Sequence, residues 1–230
     1  MMTQSTRQSA TSGLTVWIAT AIAGVAFPVL ALLVNRHDAS ALLGSAGPVL
    51  TLGLMGVGIL TTANTGQFRS GVVLALLNIA CLTLLALALG IPAPPQPFAT
   101  AFVMVIASGS FAARGALFCK TLARRAWLMG LFVVAGEASV LLIAALLPDA
   151  LPTWFLALLP AQWASVAIQT TLTGASQFSA VAALIALGGT AMTAMVAARL
   201  WYRPWPYPLM FTTWLGLSAL VYFWPLPVAP

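Results

Sequence analysis

The chain has 230 residues, of which 61% are apolar and only 5% charged, with nine Lys/Arg, three Asp/Glu and one His. Soluble domains carry about 25% charged residues, and the mean hydropathy here is +1.03. These figures exclude a soluble globular protein, a disordered chain and a disulfide scaffold, and they describe an all-α, polytopic transmembrane helix bundle.

Residues 1–13 form a polar tail, expected to be disordered and cytoplasmic. Residues 14–225 form one transmembrane helical domain, and 226–230 a short tail. The first apolar run, Leu14 to Val34, is longer than a signal-peptide core and long enough to span, so it reads as a retained first span. The second span, Ala41 to Thr62, carries Gly44, Gly47, Thr51, Gly58 and Thr62 at helical spacing. Small residues on one stripe let helices approach closely in lipid, so the stripe predicts a packing seam. Gly47-Pro48 predicts a kink.

The third span is Val72 to Leu89, closed by a Pro-rich turn at 91–97. The fourth begins near Phe98 and must run past Arg114, because its uncharged part is too short for about 30 Å of hydrocarbon. Residues 114–127 are amphipathic. Arg114, Lys120, Arg124 and Arg125 share an arc of about 140°, so the helix is expected to emerge into the headgroups, bend along them and attract anionic lipid there. The fifth span is Ala126 to Leu147.

Thr153 to Leu172 is ambiguous. It is long enough to span, but Pro160 interrupts it, and Gln162, Ser165 and Gln169 make its second half polar. It either crosses, lies at the interface, or dips in and returns. The seventh segment is Ser179 to Leu200, with a second small-residue stripe, and the last is Leu209 to Trp224.

Positive charge favours the cytoplasmic side. If every segment except 153–172 crosses, seven crossings place Arg7, Arg69, Arg114, Lys120, Arg124, Arg125, Arg199 and Arg203 inside with the N-terminus, and only Arg36 outside. Eight crossings would move Arg199 and Arg203 outside. Seven crossings plus one interfacial or re-entrant segment separates charge better, and eight crossings is the alternative. Six of the eight tryptophans (Trp17, Trp127, Trp154, Trp201, Trp205 and Trp224) fall near predicted span ends, as interfacial anchors do. The pattern suits a bacterial inner (plasma) membrane protein.

The inventory also limits chemistry. His37, Cys81, Cys119, Asp38, Glu137 and Asp149 are too scattered for a protein-built metal centre, and no cofactor or nucleotide motif is present. Ser108 and Ser110 would need a base to act as nucleophiles, and His37 is expected on the opposite side. The basic residues border apolar helices, which argues for topology signals rather than nucleic acid.

Glu137 stands out, near the centre of its span. An acidic residue there costs about 2.5–3.5 kcal/mol on insertion scales, so something must offset it. Arg114 is the cation nearest in depth: about 9 Å inside its helix end against about 16 Å for Glu137, at about 1.5 Å per residue. An intramembrane Arg114–Glu137 pair is therefore expected, with Asn78 as a second candidate partner for Glu137.

Three functions compete. One is a membrane module (an accessory, assembly or sensing subunit) acting through partner membrane proteins or a homo-oligomer. Another is a small proton-coupled transporter or permease using Glu137 with Asn78 and Gln162 around one cavity. The third is a lipid-acting enzyme. The alternatives for Glu137 are a functional acid and a structural clamp.

Overall fold

The computed structural model describes residues 14–147, 150–174, 177–200 and 205–223. Every element among them is helical. In chain order they are α1 (Leu14–His37), α2 (Ala39–Thr65), α3 (Phe68–Ala88), α4 (Pro97–Leu122), α5 (Ala126–Leu146), α6 (Thr153–Leu156), α7 (Pro160–Thr173), α8 (Gln177–Arg199) and α9 (Pro206–Phe223). Six of these, α1 to α5 and α8, are long and apolar enough to cross a membrane. The two tails expected at 1–13 and 226–230 lie outside the described residues, as do Arg7, Asp149, Arg203 and Trp224.

The central element is α2, which packs against α1, α3, α4, α5 and α7. Among the candidate spans, 78% of its apolar stretch is buried, against 17% for α5. The small-residue stripe on α2 is therefore not one seam. Gly47 lies against Ser165 and Gln169 of α7, Gly58 against Phe111 of α4, and Thr62 against Gly71 of α3. Gly56 meets Gly24 of α1 backbone to backbone. A Cβ on Gly56 would stand 2.8 Å from the Gly24 Cα, so only glycine lets the two backbones meet there.

Asp38 starts α2 by accepting hydrogen bonds from the backbone N–H groups of Ser40 and Ala41 and from the Ser40 hydroxyl. The Ser40 hydroxyl, followed by the two amides, lowers the Asp38 pKa. The cap therefore holds through the ordinary carboxylate range and is lost only as pH falls below it.

Two prolines interrupt the helix ladders, and each break is bridged by a polar side chain from a neighbouring helix. In α1, Pro28 has no N–H to give the carbonyl of Gly24, which lies in a π-helical turn at Ile22–Ala26. Asn78 of α3 donates to that carbonyl at 2.8 Å and to the Gly53 carbonyl of α2 at 3.2 Å. In α2, Pro48 opens the preceding turn. Gln169 of α7 inserts there, accepting from the Gly47 N–H at 2.7 Å and donating to the Leu43 carbonyl at 2.8 Å.

The amphipathic end of α4 does not bend along a surface. It runs to Leu122 and closes in a three-residue 3-10 turn, Ala123–Arg125, leading directly into α5. Ala123 takes φ +44°, which reverses the chain too tightly for a surface helix to form. Asp38 sits at one end of the bundle. Arg69, Lys120, Arg125 and Arg199 sit at the other, the basic end.

The segment after α5 is broken between Leu156 and Pro160. Helix α7 is about 21 Å long at about 1.5 Å per residue, short of a hydrocarbon core of about 30 Å. Its first turn lies beside Glu137, midway along α5. Its last residue leads to Gly174 (φ +70°), which sits against Pro95 in the α3–α4 connection, opposite the basic end. Helices α4 and α8 run parallel. Gln96 and Ala99 face the same hollow as Ala180 and Val181 near their starts, and Leu117 packs with Ala197 near their ends.

Asn78→Ala is expected to lower stability by about 1–2 kcal/mol, because two buried backbone carbonyls lose their donor. Thermal unfolding in detergent measures this, and Gly56→Val should cost more through the blocked α1–α2 contact.

Candidate functional site

Arg114 and Glu137 meet between α4 and α5. Arg114 Nη1 donates to Glu137 Oε1 at 2.5 Å, and the two side chains are 14% and 13% exposed. The guanidinium also lies over the Phe111 ring, 4.8 Å from its centroid. Arg114 Nε and Nη2 are buried with no hydrogen-bond partner. The other carboxylate oxygen, Oε2, accepts from the backbone N–H of Ala161 at 3.0 Å.

That last bond gives Glu137 its place in the fold. A helix leaves its first N–H groups without intrahelical acceptors, and inside hydrocarbon no water is available to supply them. At α7 each is provided for. Pro160 occupies the first position and has no N–H. Ala161 bonds Glu137. Gln162 and Trp163 both donate to the Leu159 carbonyl. The positive end of the helix also favours an anion at this point.

The turn before α7 is closed by two tryptophans. The Trp163 indole N–H donates to the Ala157 carbonyl at 2.8 Å. The Trp214 indole N–H, from α9, donates to the Leu158 carbonyl at 3.2 Å. These are the two tryptophans that fall inside predicted segments rather than near their ends. An indole N–H at membrane depth needs an acceptor, and that signal points to irregular backbone nearby.

The four intramembrane polar candidates do not share one cavity. Asn78 is committed to the α1 and α2 carbonyls and does not reach Glu137, because the Pro28 break draws it to the other side of α2. Gln162 lines a hollow of about 510 Å³ that opens toward the end opposite the basic one. Asn35, Ser45, Ser165, Gln169 and Thr170 share this hollow, and its lining carries no charge. The side chains of Gln162 and Ser165 face it without partners of their own.

Arg114 and Glu137 instead face a second hollow of about 620 Å³, lined almost wholly by apolar side chains of α4, α5, α8, α9 and the α6–α7 turn. Of the proposed headgroup-binding residues, Lys120 and Arg125 are exposed at the basic end, and Arg114 lies deeper, in the pair. The backbone of Arg124 belongs to the 3-10 turn, and its side chain lies outside the described residues. Among the described residues no three His, Cys, Asp or Glu come together.

Removing either partner of the pair leaves the other buried and uncompensated, which costs about 3–5 kcal/mol. Arg114→Gln and Glu137→Gln are each expected to destabilise by that order. In the double variant the two losses should add to less than their sum, by about 1–3 kcal/mol. A double-mutant cycle of unfolding in detergent or bicelles measures the coupling.

Compared with family models, with curated proteins and with solved structures, the chain matches none.

Proposed function

We propose that this chain is a non-catalytic membrane module, an accessory, assembly or sensing subunit that acts through partner chains. The observation that carries this reading is the commitment of Glu137. Both carboxylate oxygens are used within the chain, one by Arg114 and one by the first turn of α7. A proton carrier must exchange with water on its path. Glu137 instead faces an apolar hollow and holds two helices and a turn together.

The topology proposed with it has seven crossings, with residues 150–174 entering and leaving on one side. Its support is the parallel course of α4 and α8, the contact of Gly174 with Pro95, and the short α7 starting at the depth of Glu137. Eight crossings would make α4 and α8 antiparallel. With the N-terminus cytoplasmic, Arg69, Lys120, Arg125 and Arg199 lie inside, while Arg36 and Asp38 lie outside.

A second reading, a permease, is favoured by the uncharged polar hollow beside the interrupted helix, since broken helices with free polar groups build transport sites. In that case the solute would be small and neutral, meeting Gln162 and Ser165, and Glu137 would remain structural.

Extraction from the native membrane in polymer nanodiscs, combined with proton flux and uptake of small neutral solutes in proteoliposomes, distinguishes the readings. The module reading expects a stoichiometric membrane partner and no proton flux above that of empty vesicles. A partner-free chain that carries small neutral solutes, or one whose proton flux disappears in Glu137→Gln, would overturn it.

A further inference from the structure

The hollow that Arg114 and Glu137 face has a definite place in the bundle. Its roof is the α6–α7 turn at Leu158, at the depth of Glu137. Its walls are Phe118 of α4, Phe132 of α5, Ala194 of α8 and Phe211 of α9. From that roof it runs toward the basic end and opens sideways, where Phe132 and Phe211 are 75% and 55% exposed. Helices α4 and α5 make one side and α8 and α9 the other, so the space is a lateral groove within one half of the bilayer.

The end of the bundle toward which this groove runs is cationic. Lys120 lies one turn beyond the lining residue Leu117 on α4, Arg125 immediately precedes α5, and Arg199 ends α8. All three are exposed, and no acidic residue stands at this end among the described residues. An apolar slot that runs toward a positively charged end of the bundle complements a molecule with a hydrocarbon chain and an anionic head.

We propose that the groove is a binding site for a single anionic phospholipid of the adjoining leaflet. One acyl chain lies under the α6–α7 turn against Trp214, and the phosphate sits among Lys120, Arg125 and Arg199. The chain keeps water from the Arg114–Glu137 pair and from the carbonyls of the turn, so the bound lipid supports the part of the fold that starts at mid-depth. This rests on the membrane-embedded, seven-crossing reading, which sets Arg199 at the same end as Lys120 and Arg125, and on no choice of partner.

Two photoactivatable lipids in proteoliposomes test it, phosphatidylglycerol and phosphatidylcholine, each with a diazirine near the acyl terminus. The expected result is several-fold more cross-linking by the glycerol lipid at residues 132–140 and 210–214, with no such preference on α1 or α3. Gly136→Trp should cut the groove cross-links several-fold and leave those on α3 unchanged, since a Cβ at Gly136 meets nothing within 4 Å and the ring can enter the groove. The triple variant Lys120→Gln, Arg125→Gln, Arg199→Gln, which leaves the groove walls intact, should abolish the headgroup preference. Equal labelling by both lipids, labelling spread evenly around the bundle, or a protein rather than a lipid captured in the groove would overturn the proposal. Even labelling would still leave the membrane-embedded reading standing.

Discussion

Helix α7 begins beside the midpoint of α5, where the proposed topology leaves its first backbone donors out of reach of water, and the structure around it meets that demand. Glu137 receives the Ala161 N–H, Leu159 takes the next two, and Trp163 and Trp214 supply donors to the carbonyls of the preceding turn. A carboxylate at that depth is itself costly, and Arg114 with its Phe111 ring offsets the charge. The acid, the cation and the two indoles therefore form one local solution to one problem of backbone solvation.

The same logic recurs at each interruption of the ladder. Pro28 is answered by Asn78, Pro48 by Gln169 and the helix start behind Pro160 by Glu137. In each case the polar side chain comes from a different helix than the proline. The bonds consequently tie α3 to α1 and α2, α7 to α2, and α5 to α7. Apolar burial gives little drive for helix association in lipid. These polar repairs, with the close glycine contacts onto α2, thus carry much of the specificity of the packing.

The sequence made the helical class, the positions of six candidate spans and the depth match of Arg114 and Glu137 legible, because hydropathy, proline turns and a rise of about 1.5 Å per residue act locally. It also marked 153–172 as irregular through Pro160 and its polar second half. It did not reveal what the polar residues bond. The partners of Asn78, Gln169 and Glu137 include backbone atoms of Gly24, Gly47 and Ala161, and a backbone group leaves no residue-type signature. The small residues of α2 look like one stripe on a helical wheel. They serve three neighbours because that helix is surrounded, which only the packing decides.

The claim that residues 150–174 enter and return on one side, with α7 starting at the level of Glu137, is open to direct measurement. In a background with Cys81 and Cys119 replaced by alanine, single cysteines at Ala150, Thr173 and Lys120 can be labelled with a membrane-impermeant maleimide in right-side-out and inverted vesicles. Positions 150 and 173 are expected to react from the same side, opposite to position 120. Reaction of 150 and 173 from opposite sides would mean that the segment crosses the membrane and that α7 is not re-entrant.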